Sequence, residues 1–272
     1  MRVTPALMTI EALIAGSGIP RIEAELLVAS ALRRDRTWVL AHGDDAVAPV
    51  NHRLIESWYA RRRSGEPVAY IIGEREFFGR MFFVTPDVLI PRPATEELVR
   101  ATLAFLDHPQ DAVHEADAGI VIVSRVLRSE LHPHIVVDAG TGSGCIAITL
   151  ALECPEIQVI ATDISAEALA VARTNADLHH VTDRVGFLKG KDLDPVRDLR
   201  EPFLLVSNPP YIPEDRVLQR EVMVFEPQQA LFGGEDGVNM LRRISDQARQ
   251  HPFCCGLVME CEADQQEIFR NS

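Results

Sequence analysis

Three features of the sequence predict an α/β fold, in which a Rossmann-like parallel sheet follows a small helical domain and a β-hairpin linker. From residue 135 onward, short apolar segments alternate with helical ones, the pattern of a parallel sheet with crossover helices on both faces. The first of those segments runs into a glycine-rich turn, Gly140-Thr141-Gly142-Ser143-Gly144, which feeds a helix. Ahead of the sheet, residues 5–63 carry apolar side chains at helical spacing. The implied boundaries are residues 1–66 for the helical domain, 67–90 for the linker and 91–272 for the α/β domain.

In the first domain, Ala6, Leu7, Ile10, Leu13 and Ile14 share one helical face, and Gly16-Ser17-Gly18 stops that helix. Pro20 and the acids Glu23 and Glu25 suit the start of a second helix carrying Ile22, Leu26, Leu27, Ala29 and Leu32. A third is expected over residues 50–63. The pattern then shortens to β-like stretches, Ala69-Tyr70-Ile71-Ile72 and Met81-Phe82-Phe83-Val84, punctuated by Gly73 and Gly79. Leu89-Ile90-Pro91-Arg92-Pro93 leads into a helix with Glu96 and Glu97 in its first turn. Residues 107–134, with the apolar stretch 120–126, are expected to extend that helix or to form an added one.

Strands are expected at residues 135–138, 159–163, 185–189, 203–206 and 257–260. Helices fall at 146–152, at 166 to about 178 behind the N-cap Ser165, and at 238–250.

The composition is 47% hydrophobic and 25% charged, that of a soluble globular protein. With neither a membrane-length apolar run nor a signal-peptide pattern, the protein is expected in the cytoplasm without a membrane partner. The five cysteines include no C-x-x-C pair, which favours neither a metal site nor a disulfide framework. Residues 1–80 hold 11 Lys and Arg against 10 Asp and Glu, and residues 81–272 hold 16 against 30. Such an acidic second part suits a phosphate backbone poorly, so no direct nucleic-acid partner is expected. The one dense basic cluster, Arg61-Arg62-Arg63, reads as a solvated helix end.

Two segments carry the chemistry. Gly140, Gly142 and Gly144 let the backbone turn tightly beside a ligand at a helix N-terminus, where free N–H groups favour a carboxylate. Asp163 ends the next strand, roughly 20 residues on, placed for ribose hydroxyls. A dinucleotide site would show G-x-G-x-x-G; here the third glycine comes one residue early, which favours S-adenosylmethionine. Asp138, just before the turn, is placed to pair with the cofactor's amino group or to brace the loop. Asp192 is placed to accept from the adenine amine, with an ordinary solvated loop acid as the alternative.

The second segment is Asn208-Pro209-Pro210-Tyr211, after the apolar run Phe203-Leu204-Leu205-Val206. Two prolines fix φ and withhold donors, so the Asn208 side chain and the carbonyls before the prolines are free to accept from a ligand, with Tyr211 closing the shelf. A planar amide or exocyclic amine fits there. The competing reading is that Pro-Pro only ends a strand and opens a loop.

The chain resembles the protein-(glutamine-N5) methyltransferases that modify peptide-chain release factors, the PrmC/HemK family. The resemblance rests on Glu66-Pro67-Val68-Ala69-Tyr70-Ile71-Ile72-Gly73, Phe77-Phe78-Gly79, Leu89 to Pro93 with Thr95-Glu96, Asp138 to Gly144, Asn208 to Tyr211, and Phe225-Glu226-Pro227 with Ala230-Leu231 and Gly233-Gly234. It implies that Asp138, Gly140, Thr141, Gly142, Ser143, Gly144, Asp163, Asp192 and Leu193 line an S-adenosylmethionine site together with Asn208. It also implies that Asn208, Pro209, Pro210 and Tyr211 hold the glutamine of a release factor's Gly-Gly-Gln loop, and that Glu226 shapes the substrate entrance. Its alternative at Phe225-Glu226-Pro227 is a capped turn. Relatives continue past the last strand through a helix and an antiparallel hairpin, so with the chain ending at Ser272 the domain is expected to be shortened and a sheet edge uncovered.

A carboxamide nitrogen is a poor nucleophile, and the expected remedy is positioning: the Asn208 oxygen and the Pro209 carbonyl accept its two hydrogens and aim it at the methyl group. That scheme requires neither a metal nor a strong base, and the protein is expected to act as a monomer. The competing functions are an amino-methyltransferase of DNA or RNA, which would need a basic track, and a cofactor-binding protein without turnover.

Overall fold

The computed structural model describes residues 8–109, 112–115 and 119–269. Ala6 and Leu7 of the first expected helix, and the chain end at Ser272, lie outside the described residues. The chain divides into two compact units, Met1–Gly73 with Gln219–Phe225, and Glu74–Leu218 with Glu226–Ser272.

The smaller unit holds α1 (Ile10–Ala15), α2 (Arg21–Leu32), α3 (Arg36–Ala41), α4 (Pro49–Arg63) and α5 (Val68–Ile72). Thr9 and Asp35 cap α1 and α3 through side-chain oxygens, and Pro49 opens α4. Ile10, Leu13, Leu27, Val28, Ile55 and Tyr59 form its core. The stretch Ala69-Tyr70-Ile71-Ile72, expected to be β-like, is helical instead. Pro67 starts it, Gly73 ends it in a left-handed conformation, and Ala69, Tyr70 and Ile71 are buried. The expected linker is therefore divided between the two units.

The larger unit begins with a hairpin of β1 (Glu74–Phe77) and β2 (Arg80–Phe83). Its two-residue turn puts both Phe78 and Gly79 at positive φ, 53° and 74°, the twist that matches paired strands. Phe78 tolerates this because its N–H donates to Glu96 Oε1 at 3.1 Å and Arg100 stacks over its ring. α6 (Glu96–Asp107) follows.

A seven-stranded sheet then forms from β3 (Ala112–Glu115), β4 (Ile120–Val126), β5 (Ile135–Ala139), β6 (Gln158–Asp163), β7 (Val185–Lys189), β8 (Phe203–Ser207) and β9 (Cys254–Glu262), in the order β3-β4-β9-β8-β5-β6-β7. The five strands from β9 to β7 run parallel. Between them come α7 (Cys145–Glu153), α8 (Ala166–Leu178), α9 (Arg220–Phe225) and α10 (Asn239–Gln250), of which α9 belongs to the smaller unit. There Glu221 accepts from Arg62 at 2.8 Å.

The structure corrects the reading of residues 107–134. The stretch 120–126 is neither an extension of α6 nor an added helix. It is β4, antiparallel to β9, with β3 antiparallel beyond it. Val121 and Val123 are buried on one sheet face and Ile122 on the other, which a strand covered on both sides requires. The edge of β9 expected to lie open is thus paired, by strands that precede β5 in the chain.

Both sheet faces are covered. Val136, Leu204, Val206 and Val258 face α6 and α7, while Val137, Phe203, Leu205 and Leu257 lie with Leu241 and Ile244 of α10. The loops at the carboxyl ends of β5, β6 and β8 are left to form a cleft. No helix among the described residues is long and apolar enough to cross a membrane.

Candidate active site

The cleft opens to solvent and has a cavity volume of about 170 Å³. Of the residues singled out from sequence, Gly140, Thr141, Gly142, Ser143, Asp163, Asp192, Asn208, Pro209 and Pro210 line it. Asp138, Gly144, Leu193, Tyr211 and Glu226 stand outside its lining.

The glycine turn is held by its neighbours in the sheet. The N–H groups of Gly140 and Thr141 both donate to the Thr162 carbonyl at 2.9 Å, and the Gly142 N–H donates to Asp163 Oδ2 at 2.9 Å. Asp163 Oδ1 accepts from the Ser165 N–H, so one carboxylate joins the glycine turn to the start of α8. Each oxygen keeps a lone pair for a ligand hydroxyl. A Cβ on Gly140 or Gly142 would meet no atom within 4 Å, so both look onto open space. Asn175 of α8 fastens the turn from behind, donating to the carbonyls of Ser143 and Phe83 and accepting from the Phe83 N–H.

Asp138 is fully buried, and its Oδ2 accepts from the Thr141 hydroxyl at 2.6 Å. Its Oδ1 has no hydrogen-bond partner among the described residues. Burial pushes its pKa up to about 7 against the opposing pull of Thr141. A buried carboxylate oxygen without a donor is suited to an ammonium group, and the open glycine cradle to a carboxylate. The residues present therefore fit the methionine end of S-adenosylmethionine.

Asp192 has φ 51° and a buried carboxylate bonded by both oxygens to the Arg243 guanidinium, the Nη2–Oδ1 contact being 3.1 Å. The carboxylate holds the Arg243 pKa above its ordinary value. The solvated-loop alternative for Asp192 is thus replaced by a paired, buried acid at the cleft wall. Leu193 turns into the core under α10, its N–H donating to Gln247.

Behind the Asn208-Pro209-Pro210 shelf lies a polar cluster. Asn208 Nδ2 donates to Thr95 Oγ1 at 3.0 Å, and the Tyr211 hydroxyl donates to Glu260 Oε1 at 2.8 Å. Tyr211 therefore closes the shelf from within, its ring packed on the core beside β9 rather than facing the cleft. Its pKa is raised by burial and by the Glu260 charge. Glu226 is also drawn inward, accepting from the Ile90 N–H at 3.2 Å and from Arg92 Nη2 at 2.6 Å. A carboxylate offered a backbone N–H and a guanidinium gains more there than at an entrance rim. Its segment still reaches the cleft through Pro227, Gln229 and Ala230.

Sequence reasoning passed over Arg243 and Glu260. An arginine inside an amphipathic helix gives no signal of its own. Glu260 gave one: the first acid after the apolar run Leu257-Val258-Met259 of β9, at the carboxyl edge where ligands bind.

Residues 6–73 match the PrmC N-terminal domain and residues 112–231 the methyltransferase small domain. The chain is 41% identical over 262 residues to the release factor glutamine methyltransferase of Bordetella pertussis, covering 95% of this chain and 87% of that protein. The proteins of the same name from Koribacter versatilis and Neisseria gonorrhoeae are 40% and 38% identical, covering 85% and 89% of this chain and 75% and 80% of their own lengths.

Proposed function

Since the chain belongs to the release factor glutamine methyltransferases, we propose that it methylates the side-chain amide nitrogen of the glutamine in the Gly-Gly-Gln motif of a peptide-chain release factor. The observation that carries this reading is the rigid shelf Asn208-Pro209-Pro210 on the same cleft wall system as the open glycine turn, with the Asn208 amino group tied back to Thr95. Bound S-adenosylmethionine supplies an electrophilic methyl group on its sulfonium sulfur.

The rest is the work of this chain's own residues. The glycine turn and Asp138 hold the methionine end, Asp163 the ribose hydroxyls, and Asp192 with Arg243 stiffens the wall beside them. Asn208 Oδ1 and the Pro209 carbonyl accept the two amide hydrogens of the incoming glutamine, fixing its nitrogen and its plane. Neutral acceptors suffice to orient it, and the surplus proton passes to water. The helical unit helps hold the protein substrate, and the enzyme acts as a cytoplasmic monomer without a nucleic-acid partner.

Transfer of labelled methyl to purified release factor tests this, beside a factor lacking the Gly-Gly-Gln glutamine and with DNA and RNA as rival acceptors. Label confined to the native factor is expected. Equal label on the altered factor, or transfer to nucleic acid alone, would overturn the proposal.

A further inference from the structure

Gly233-Gly234 carries part of the family resemblance but does not line the cleft. It lies instead against the backbone of the acceptor shelf. Ile212, next after Tyr211, pairs with Phe232 in a parallel bridge: the Ile212 N–H donates to the Leu231 carbonyl at 3.1 Å and the Gly233 N–H to the Ile212 carbonyl at 2.9 Å. The shelf thus leads straight into a backbone ladder. That ladder brings Gly233 so close that a Cβ there would stand 2.5 Å from the Pro210 carbonyl oxygen and collide with the Gly237 carbonyl as well. A Cβ on Gly237 would collide with the Tyr211 carbonyl oxygen and lie 2.7 Å from Gln265 Nε2.

Gln265 completes the contact. It is buried, its Nε2 donates to the Tyr211 carbonyl at 2.7 Å, and its Oε1 accepts from the Glu262 N–H at 3.1 Å, so the network selects one amide orientation. Tyr211 is held at both ends, by Gln265 at its carbonyl and by Glu260 at its hydroxyl. The carbonyl before these held ones is that of Pro209, the proposed acceptor. Because the Pro210 ring locks φ and the peptide units are planar, ψ of Pro210 is the only soft torsion between the Pro209 and Pro210 carbonyls. Seating the Pro210 carbonyl on Gly233 removes that freedom.

We propose that Gly233, Gly237 and Gln265 are positioning residues of the methyl transfer: they clamp the Pro210-Tyr211 backbone from outside the cleft and so aim the Pro209 carbonyl at the substrate amide. This rests on the function proposed above. None of the three lines the cleft, so none touches substrate or cofactor in this role. The two glycines act by leaving room and Gln265 by its hydrogen bond. Precision matters there, since a misplacement of roughly 1 Å in a reacting pair costs roughly 100-fold in rate.

The test compares Gly233→Ala and Gln265→Met with the unaltered enzyme. Gly256→Ala is the matched control: its methyl would collide with the Phe105 ring and lie 2.6 Å from the Arg125 carbonyl oxygen, near the start of β9 and outside the cleft lining. Single-turnover methyl transfer at saturating release factor is measured with KM, the dissociation constant for S-adenosylmethionine, and melting temperature. Gly233→Ala is expected to lose about 10- to 100-fold in transfer rate and Gln265→Met about 3- to 10-fold, each binding the cofactor within about twofold of the parent. Gly256→Ala should melt below the parent yet, beneath its transition, transfer at the parent rate. A parent-like rate in either clamp variant, an equal loss in Gly256→Ala, or a loss of cofactor affinity that matches the loss of rate would overturn the inference. If Gly233→Ala fails to fold, Gln265→Met decides alone by the same rate and affinity. An unaltered enzyme that transfers no methyl to release factor would instead refute the proposed function.

Discussion

Gly144 closes the glycine turn, and replacing it with alanine should damage stability more than binding. Its φ is +81°, and an added Cβ would lie 3.0 Å from Ile148 Cδ1 and 3.1 Å from Ala172 Cβ. The left-handed backbone costs a non-glycine residue roughly 1–2 kcal/mol. The contacts add roughly 1–3 kcal/mol, because Ile148 can give way but Ala172 sits on α8, which Asn175 ties to the turn. The total is about 3 kcal/mol, or a melting temperature lower by roughly 6–12 °C for a protein of this size. Calorimetric unfolding, read on the transition that S-adenosylmethionine raises, measures it. Gly142→Ala is the control: its φ is +54° but nothing lies within 4 Å of the added methyl. That variant should melt less far below the parent, by about 2–8 °C on the same conversion, and lose cofactor affinity, since its methyl enters the cleft. Gly144→Ala melting within about 2 °C of the parent, or below it only as far as Gly142→Ala does, would refute the steric argument.

Asp138 gives a pH signature. A carboxyl whose folded pKa is raised to about 7 binds its proton more tightly folded than unfolded. Its stabilising share is therefore present at low pH and lost as pH rises from about 4 to about 7. Relative to Asp138→Asn, the parent should lose on the order of 4 kcal/mol across that window in urea titrations; a constant difference would contradict the burial argument. Arg243→Met leaves the buried Asp192 carboxylate unpaired and should weaken S-adenosylmethionine binding by about tenfold in titration calorimetry. Arg243→Lys should restore only part, as an ammonium cannot span both oxygens; parent-like affinity in Arg243→Met would remove Asp192 from the cofactor wall. Glu226→Ala strands the half-exposed Arg92 and frees the Ile90 N–H, for about 1–3 kcal/mol in denaturant, whereas Glu226→Gln keeps an acceptor and should cost about half as much.

The parallel strands were legible because burial on both faces demands unbroken apolar runs, as in Phe203-Leu204-Leu205-Val206. The same physics made residues 120–126 ambiguous. Ile120-Val121-Ile122-Val123 is apolar at every position, a composition shared by buried helices and two-sided strands, and only the pairing with β9 decides between them. The β-branched content of that run favours a strand, a propensity the helical expectation left out of account. Ala69-Tyr70-Ile71-Ile72 failed in the opposite sense: its β-prone side chains lie in a helix that Pro67 starts and Gly73 ends, with Ala69, Tyr70 and Ile71 buried, so tertiary packing overrides the propensity.

At the site, legibility followed the backbone. Gly140, Gly142, Pro209 and Pro210 are visible in sequence because a backbone that must turn sharply, or offer carbonyls without donors, leaves few residue choices. Asp163 is visible by its fixed distance along the next strand. Arg243 and Glu260 follow no such rule. Their partners come from elsewhere in the chain, Asp192 lying 51 residues before Arg243 and Tyr211 lying 49 before Glu260, and any strand or helix reaching that point could have supplied the charge. Residues that face a ligand are confined to the loops that form its surface, whereas those that orient them need only arrive in space. A cluster such as Asn208, Thr95, Tyr211 and Glu260 therefore becomes readable only once the sheet order has placed β8 beside β9.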